Sequence, residues 1–150
     1  MIELVATVII TAVSVLLFGY WFRYTCILIL SAKTTRDYAF DVATANQLSF
    51  LEVQSQLREA TPDLDRLRHC LDRDYAIVTS LLKHATNISE SENALETRML
   101  AIHYRVMGAW YQVSRRFSVQ AAAHAVEEMS QVVAHFANAM GERATCASMA

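Results

Sequence analysis

Four polar residues near the C-terminus have a spacing suited to metal or proton chemistry. His124, Glu128, Gln131 and His135 follow one another at i, i+4, i+7 and i+11, so one helix face carries all four. Neutral imidazole and carboxylate groups bind metal ions, and imidazole also carries protons. However, two residues eleven apart on a helix are separated by roughly 16 Å, which is too far for both histidines to bind one ion. We therefore interpret these residues as a polar face opposite an apolar stripe.

One acidic residue lies on an otherwise apolar stripe. Asp74 falls between Leu67 and Leu81 at heptad spacing. A carboxyl group at such a position lies either at a solvated edge or in the core, where its pKa is perturbed and a function is possible. The solvated edge is the favoured interpretation.

No catalytic or cofactor-binding motif is present. The chain has no phosphate-binding loop, HExxH, GxSxG or EF-hand sequence, and its three cysteines have no metal-binding spacing. We therefore expect no cofactor, no metal and no enzyme. The alternative is a cofactor- or metal-binding helical bundle with an enzymatic or electron-transfer role. Its candidate residues are Asp74, His103, His124, Glu128 and His135.

The composition favours helices. Only three glycines and one proline occur in 150 residues, whereas sheets and their turns need many more of them. The sequence therefore predicts an all-α protein. Its net charge is −2, with 13 basic and 15 acidic residues, so the basic footprint of a nucleic-acid-binding protein is missing.

The N-terminus has the pattern of a membrane anchor. Residues 4–22 carry no charge and, as a helix, would cover the ~30 Å hydrocarbon core of a bilayer. Tyr20, Trp21, Arg23 and Tyr24 then cluster at its end, where aromatic and basic side chains anchor a helix at the interface. We assign residues 1–32 to a membrane anchor that begins an all-α chain and continues into a helical bundle or coiled-coil-like part.

The alternative to an anchor is a cleaved signal peptide, which needs a basic start and a short apolar run. This chain instead begins Met-Ile-Glu, and its apolar run is long. Arg23, Lys33 and Arg36 all follow the span. The positive-inside rule therefore predicts a plasma (inner) membrane protein with its N-terminus outside and its C-terminal part in the cytoplasm.

Three segments are expected after the anchor: a helical extension (33–61), an antiparallel helical region (62–141) and a frayed tail (142–150). In the extension, the first helix is expected to continue towards residue 60. Asn46 would then be a polar seam position that fixes register or oligomer state, and exposure to solvent is the equal alternative.

Local signals predict the helix boundaries in the second region. Thr61 as the cap and Pro62 as the first helical residue begin a helix that runs to about residue 85. Ser89 to Glu92 matches a capping box, and the overlapping Asn87-Ile88-Ser89 is also a glycosylation sequon. Ser118 is predicted to cap a further helix, with one helix over 90–140 as the alternative. Gly141 is predicted to end the last helix.

The helix that follows the capping box has two apolar stripes side by side. The first is interpreted as its core-facing stripe, and its residues are Leu95, Met99, Ile102, Val106, Ala109 and Val113. The neighbouring surface is rich in aromatic side chains, and we select Tyr104, Met107, Trp110 and Tyr111 as a candidate interaction surface. The favoured explanation of two stripes is a central helix of the bundle. An exposed partner surface and a ligand pocket are the alternatives.

These features favour an interaction protein. We expect a membrane-anchored scaffold that is a homo-oligomer or a small subunit of a membrane complex. Its expected partners are the lipid bilayer and a second copy or another membrane-associated protein, without nucleic acid. Membrane-surface binding by an amphipathic helix is less favoured, because the soluble helices lack a lysine-rich polar face.

Overall fold

The computed structural model describes residues 1–32, 37–85 and 94–149. These residues form six helices and no strand, which confirms the all-α prediction. The helices are α1 (Ile2–Ser31), α2 (Ala39–Asn46), α3 (Phe50–Gln56), α4 (Leu64–Ala85), α5 (Ala94–Ser114) and α6 (Val119–Met149). The chain divides into two compact units, Met1–Lys33 and Thr34–Ala150.

The first unit consists of α1, a helix of 30 residues that is about 45 Å long. With 30 residues and an uncharged apolar segment, the helix is long and apolar enough to cross a membrane, and the side chains of that segment are exposed. The predicted interface residues Tyr20, Trp21, Arg23 and Tyr24 all lie exposed in its second half.

In the second unit, the predicted continuous helix over 33–61 is wrong. The described residues of this segment form α2 and α3, which are separated by Gln47 in the left-handed conformation (φ 53°). The apolar positions Ala43, Phe50 and Val53 are buried, but on two short helices. Asn46 is the last residue of α2, and its Nδ2 donates to the carbonyl of Val42 at 2.9 Å. It is a helix-terminal residue, so it cannot be a register position in a continuous seam.

The central helix of the bundle is α6 and not, as predicted, α5. Helices α2, α3, α4 and α5 all pack against α6. In agreement with this, the middle of α6 is buried on nearly every side, which is typical of a helix in a core. Its fully buried residues include Ala122, Ala125, Val126, Met129, Val132, Val133 and Ala137. Alanines at several of these positions allow neighbouring helices to approach closely.

The boundaries of α4, α5 and α6 follow local hydrogen bonds. Asp63 caps α4 through Oδ1, which accepts the N–H of Arg66 at 3.2 Å, so the helix begins two residues after the predicted Pro62. Ser118 caps α6 as predicted, because its Oγ accepts the N–H of Ala121 at 3.2 Å. Residues 90–140 therefore do not form one helix. The predicted capping box and sequon at 87–92 lie outside the described residues.

Gly141 lies inside α6, which continues to Met149. The predictions of a helix stop at Gly141 and a frayed tail from residue 142 are therefore wrong. A Cβ at position 141 would overlap the Cβ of Tyr38 and come within 3.3 Å of Cγ2 of Val42. Glycine is thus required for the close approach of α6 to the segment before and within α2. The N–H of Tyr38 also donates to Oδ1 of Asn138 at 2.7 Å.

Candidate functional site

The two apolar stripes of α5 face the opposite way from our prediction. The inner face of α5 is fully buried and comprises Leu100, His103, Tyr104, Met107, Gly108, Tyr111 and Ser114. Three members of the predicted interaction surface, Tyr104, Met107 and Tyr111, therefore belong to the core. Only Trp110 is exposed, at 49%. The predicted core stripe lies on the outside.

Hydrogen bonds to α4 provide partners for the hydroxyl groups of the two buried tyrosines. The hydroxyl of Tyr104 donates to Asp72 at 2.9 Å, and that of Tyr111 donates to Asp65 at 2.7 Å. A buried tyrosine is favourable when its ring is packed and its hydroxyl has a partner. In agreement with this, the ring of Tyr104 stacks on Tyr75 with centroids 4.0 Å apart.

These contacts have a recognisable sequence signal. Asp65 and Asp72 are seven residues apart on α4, and Tyr104 and Tyr111 are seven apart on α5. The pairs meet in antiparallel order, Asp72 with Tyr104 and Asp65 with Tyr111. Matching acidic and tyrosine spacings on two helices would have identified the inner stripe.

Burial and the neighbouring carboxylates raise the pKa of these tyrosines. For Tyr111, burial and then the hydrogen bond to Asp65 raise the pKa to about 12. For Tyr104, burial and then the charge of Asp72 raise the pKa well above its ordinary value. Burial likewise raises the pKa of Tyr75. All three phenols therefore stay neutral hydrogen-bond donors at physiological pH.

A slot of about 290 Å³ lies between α4 and α5. Its walls are long polar side chains, and Gly108 and Met129 also line it. The guanidinium of Arg68 lies 5.1 Å from the ring centroid of Tyr111, within the range of a cation–π contact. The hydrogen bond of Tyr104 to Asp72 and the contact of Arg68 with Tyr111 thus bridge the two helices across this slot.

The outer face of α5 is a continuous apolar surface. Its residues recur at i, i+4, i+7, i+8 and i+11 from Ile102, the spacing of one helix face. We define the outer α5 face as Leu95, Ile102, Val106, Ala109, Trp110 and Val113 together with Phe117 of the turn that follows α5, all of them exposed. Single exposed apolar residues are common, whereas several on one helix face are less usual and make this face a candidate contact surface.

The polar-face interpretation of residues 124–135 is correct for two residues and wrong for a third. His124 and Gln131 are exposed, whereas Glu128 is buried in the core at 4% exposure. Its Oε2 lies 3.2 Å from Nε2 of His103, which is equally buried, and its Oε1 lies 3.8 Å from His124. His135 is half-buried and contacts Glu96 at 2.9 Å.

The solvated-edge interpretation of Asp74 is also wrong, because its side chain is completely buried. Its Oδ2 accepts the backbone N–H of Ser49, and its Oδ1 lies 3.5 Å from Nη2 of Arg73. The same Arg73 nitrogen donates to Oγ of Ser49 at 3.1 Å. Asp74 therefore fixes the turn between α2 and α3 to α4, which is a structural role.

A second, polar groove of about 510 Å³ lies between α3 and α6. Gln54, Arg58, His124, Glu127 and Ser130 are among its lining residues. Within the described residues, no three His, Cys, Asp or Glu side chains gather in a way that could hold a metal ion. Among the candidate residues of the cofactor alternative, His103 and Glu128 form a buried pair, whereas His124 and His135 are more exposed. Asp74 has the structural role described above.

Comparison with known proteins assigns no family or activity. No family model, curated protein or solved structure matches the chain. The exposed apolar residues of the outer α5 face are therefore the feature of the bundle that bears on its function.

Proposed function

We propose that this chain is a membrane-anchored interaction protein. In this proposal α1 spans the plasma (inner) membrane, and the basic residues that follow the span keep the bundle on the cytoplasmic side. The protein acts as a scaffold, either as a homo-oligomer or as a small subunit with another membrane-associated protein. The outer α5 face is the surface by which the bundle contacts the membrane assembly.

One observation carries this proposal: an apolar face of seven residues is exposed on a bundle whose chain also has a membrane-spanning candidate. Leaving such a surface in water is unfavourable by about 25 cal/mol per Å² of apolar area, so contact with a partner stabilises it. Tryptophan, which this face also contains, is among the residues most enriched in contact surfaces.

Photo-crosslinking in native membranes tests the proposal. A photoreactive amino acid replaces Val106 on the outer α5 face, and in the control it replaces Arg66, an exposed residue of α4. We expect adducts from position 106 in large excess over position 66, and their masses distinguish protein from lipid. Equal labelling at both positions, or none at either, would contradict the proposal.

A further inference from the structure

We infer that the outer α5 face lies on the anionic lipid surface of the membrane that holds α1. This inference rests on the proposed function and names the component that covers its contact surface. Protein partners then use the remainder of the bundle surface.

Charge is the first argument. Residues 97–126 contain four arginines and no acidic residue. Arg115 is paired with Asp65 at 2.7 Å, whereas Arg98, Arg105 and Arg116 are exposed beside the apolar face. An apolar face with tryptophan and phenylalanine, flanked by basic residues, is the pattern of a helix that lies in the headgroup region of a bilayer. The basic side chains of this pattern are arginines and not lysines.

The placement of the arginines is the second argument. At 100° per residue, Arg98 and Arg105 lie on one flank of the outer α5 face, one heptad apart. Their long side chains can extend to lipid phosphates while the apolar residues enter the acyl boundary. In a two-fold antiparallel pairing of α5 with a second copy, by contrast, the arginine flanks of both copies would meet and repel each other. The charge pattern therefore disfavours this antiparallel pairing and suits an anionic lipid surface.

The tether is the third argument. Seven residues separate Ser31, the end of α1, from Ala39, the start of α2. Seven residues span at most about 25 Å even when fully extended. The part of α1 after the predicted span, residues 23–31, adds about 14 Å. A span held in the bilayer thus keeps the start of the bundle within about 40 Å of the end of the span, which raises the effective concentration of lipid at the bundle. Even weak attraction by the outer α5 face then suffices for docking.

The fluorescence of Trp110 tests this inference directly. The chain has two tryptophans, so Trp21→Phe leaves Trp110 as the only reporter. The full-length variant is reconstituted, at high lipid-to-protein ratio, into phosphatidylcholine vesicles with or without phosphatidylglycerol. We expect a blue-shifted Trp110 emission, with quenching by brominated acyl chains, in the anionic vesicles. Both effects should weaken at high salt, because salt screens the attraction.

Two matched variants sharpen the test. Arg98→Gln with Arg105→Gln should lower the docking equilibrium constant about thirtyfold in anionic vesicles, from the usual contribution of a basic residue near such a surface. In the Trp21→Phe background, Trp110→Phe with Arg66→Trp moves the reporter to α4, and this should abolish the quenching. Unchanged helical circular dichroism shows that each variant is folded.

The alternative outcomes are distinct. A Trp110 that stays exposed in all vesicles overturns lipid docking, and protein adducts at position 106 in native membranes would then still support the proposed function. Burial of Trp110 that ignores lipid charge but increases with protein density would overturn the inference in favour of a second copy. Exposure in vesicles together with no adducts in native membranes would overturn both.

Discussion

Nε2 of His103 and Oε2 of Glu128 lie 3.2 Å apart between α5 and α6, with side-chain exposures of 2% and 5%. The pair is the most deeply buried titratable contact between these two helices. Its members come from the inner face of α5 and from the central helix, so it joins the helix that carries the outer α5 face to the core.

Substitution of one residue of this pair should lower the free energy of unfolding by more than half of the loss caused by substitution of both. We expect His103→Leu or Glu128→Leu alone to lower the free energy of unfolding by about 1–3 kcal/mol, because each removes the polar contact that the other buried side chain makes between α5 and α6. The double variant should lose clearly less than the sum of the two. Urea unfolding in detergent, followed by circular dichroism, measures the stability of the natural chain, the two single variants and the double variant. Strictly additive losses would show that the two side chains are not coupled.

The tyrosine contacts between α4 and α5 predict sensitivity to alkaline pH. Burial and the hydrogen bond to Asp65 raise the pKa of Tyr111 from its ordinary value of 10 to about 12 in the folded protein. Because the folded pKa is the higher one, the stabilisation by Tyr111 is complete below pH 10 and is lost as the pH rises through about 12. Tyr104 shifts in the same direction. Unfolding measurements over this range should show the loss.

Tyr111→Phe supplies the control for this pH dependence. At neutral pH the variant should be less stable by about 1 kcal/mol, since the hydrogen bond is charged but Asp65 is largely exposed. Its stability should then fall less steeply at alkaline pH than that of the natural chain. The same slope in both proteins would show that ionisation of Tyr111 is not the cause.

The two glycines of the bundle should respond oppositely to alanine. Gly141→Ala places a Cβ against Tyr38, and we expect a loss of about 1–3 kcal/mol from overpacking. At Gly108, a Cβ would meet Arg68 and Met129 at ordinary distances of 3.8 and 3.9 Å. Gly108→Ala should therefore be neutral or stabilise the helix by up to about 1 kcal/mol. Thermal unfolding ranks the two variants, and the reverse order would contradict the packing at Gly141.

The sequence was sufficient where the determining interactions are local. The apolar run of α1, the end of α4 at Ala85 and the Ser118 cap each depend on neighbouring residues, and each was predicted. The interruption between α2 and α3 was missed, because a non-glycine residue, Gln47, adopts the left-handed conformation there. The role of Gly141 was missed as well, since it depends on Tyr38, a hundred residues away in the chain.

The outer α5 face illustrates the same distinction. Both stripes of α5 are apolar at heptad spacing, so periodicity alone could not decide which one is buried. The choice depends on partners on other helices, among them Asp65 and Asp72 on α4, which accept hydrogen bonds from the tyrosines of the inner stripe. The burial of Asp74 likewise depends on a partner distant in the sequence, the backbone N–H of Ser49, which donates to its carboxylate.

The proposed orientation predicts the labelling of a natural cysteine. Cys146 is exposed on α6. If the bundle is cytoplasmic, a maleimide that cannot cross membranes should modify Cys146 only after the cells are permeabilised. Mass spectrometry of the Cys146 peptide measures this, with detergent-solubilised protein as the fully reactive control. Modification of Cys146 in intact cells would place the bundle on the other side.

The reactivity of Trp110 in native membranes tests the central claim most directly. Hydroxyl-radical footprinting compares its oxidation in those membranes with its oxidation in purified, detergent-solubilised protein, and exposed His124 serves as the internal reference. If the outer α5 face is a contact surface, Trp110 should be protected severalfold in membranes, while His124 reacts equally in both. Equal oxidation of Trp110 in the two preparations would show that the face is open to water, and the proposed contact would be wrong.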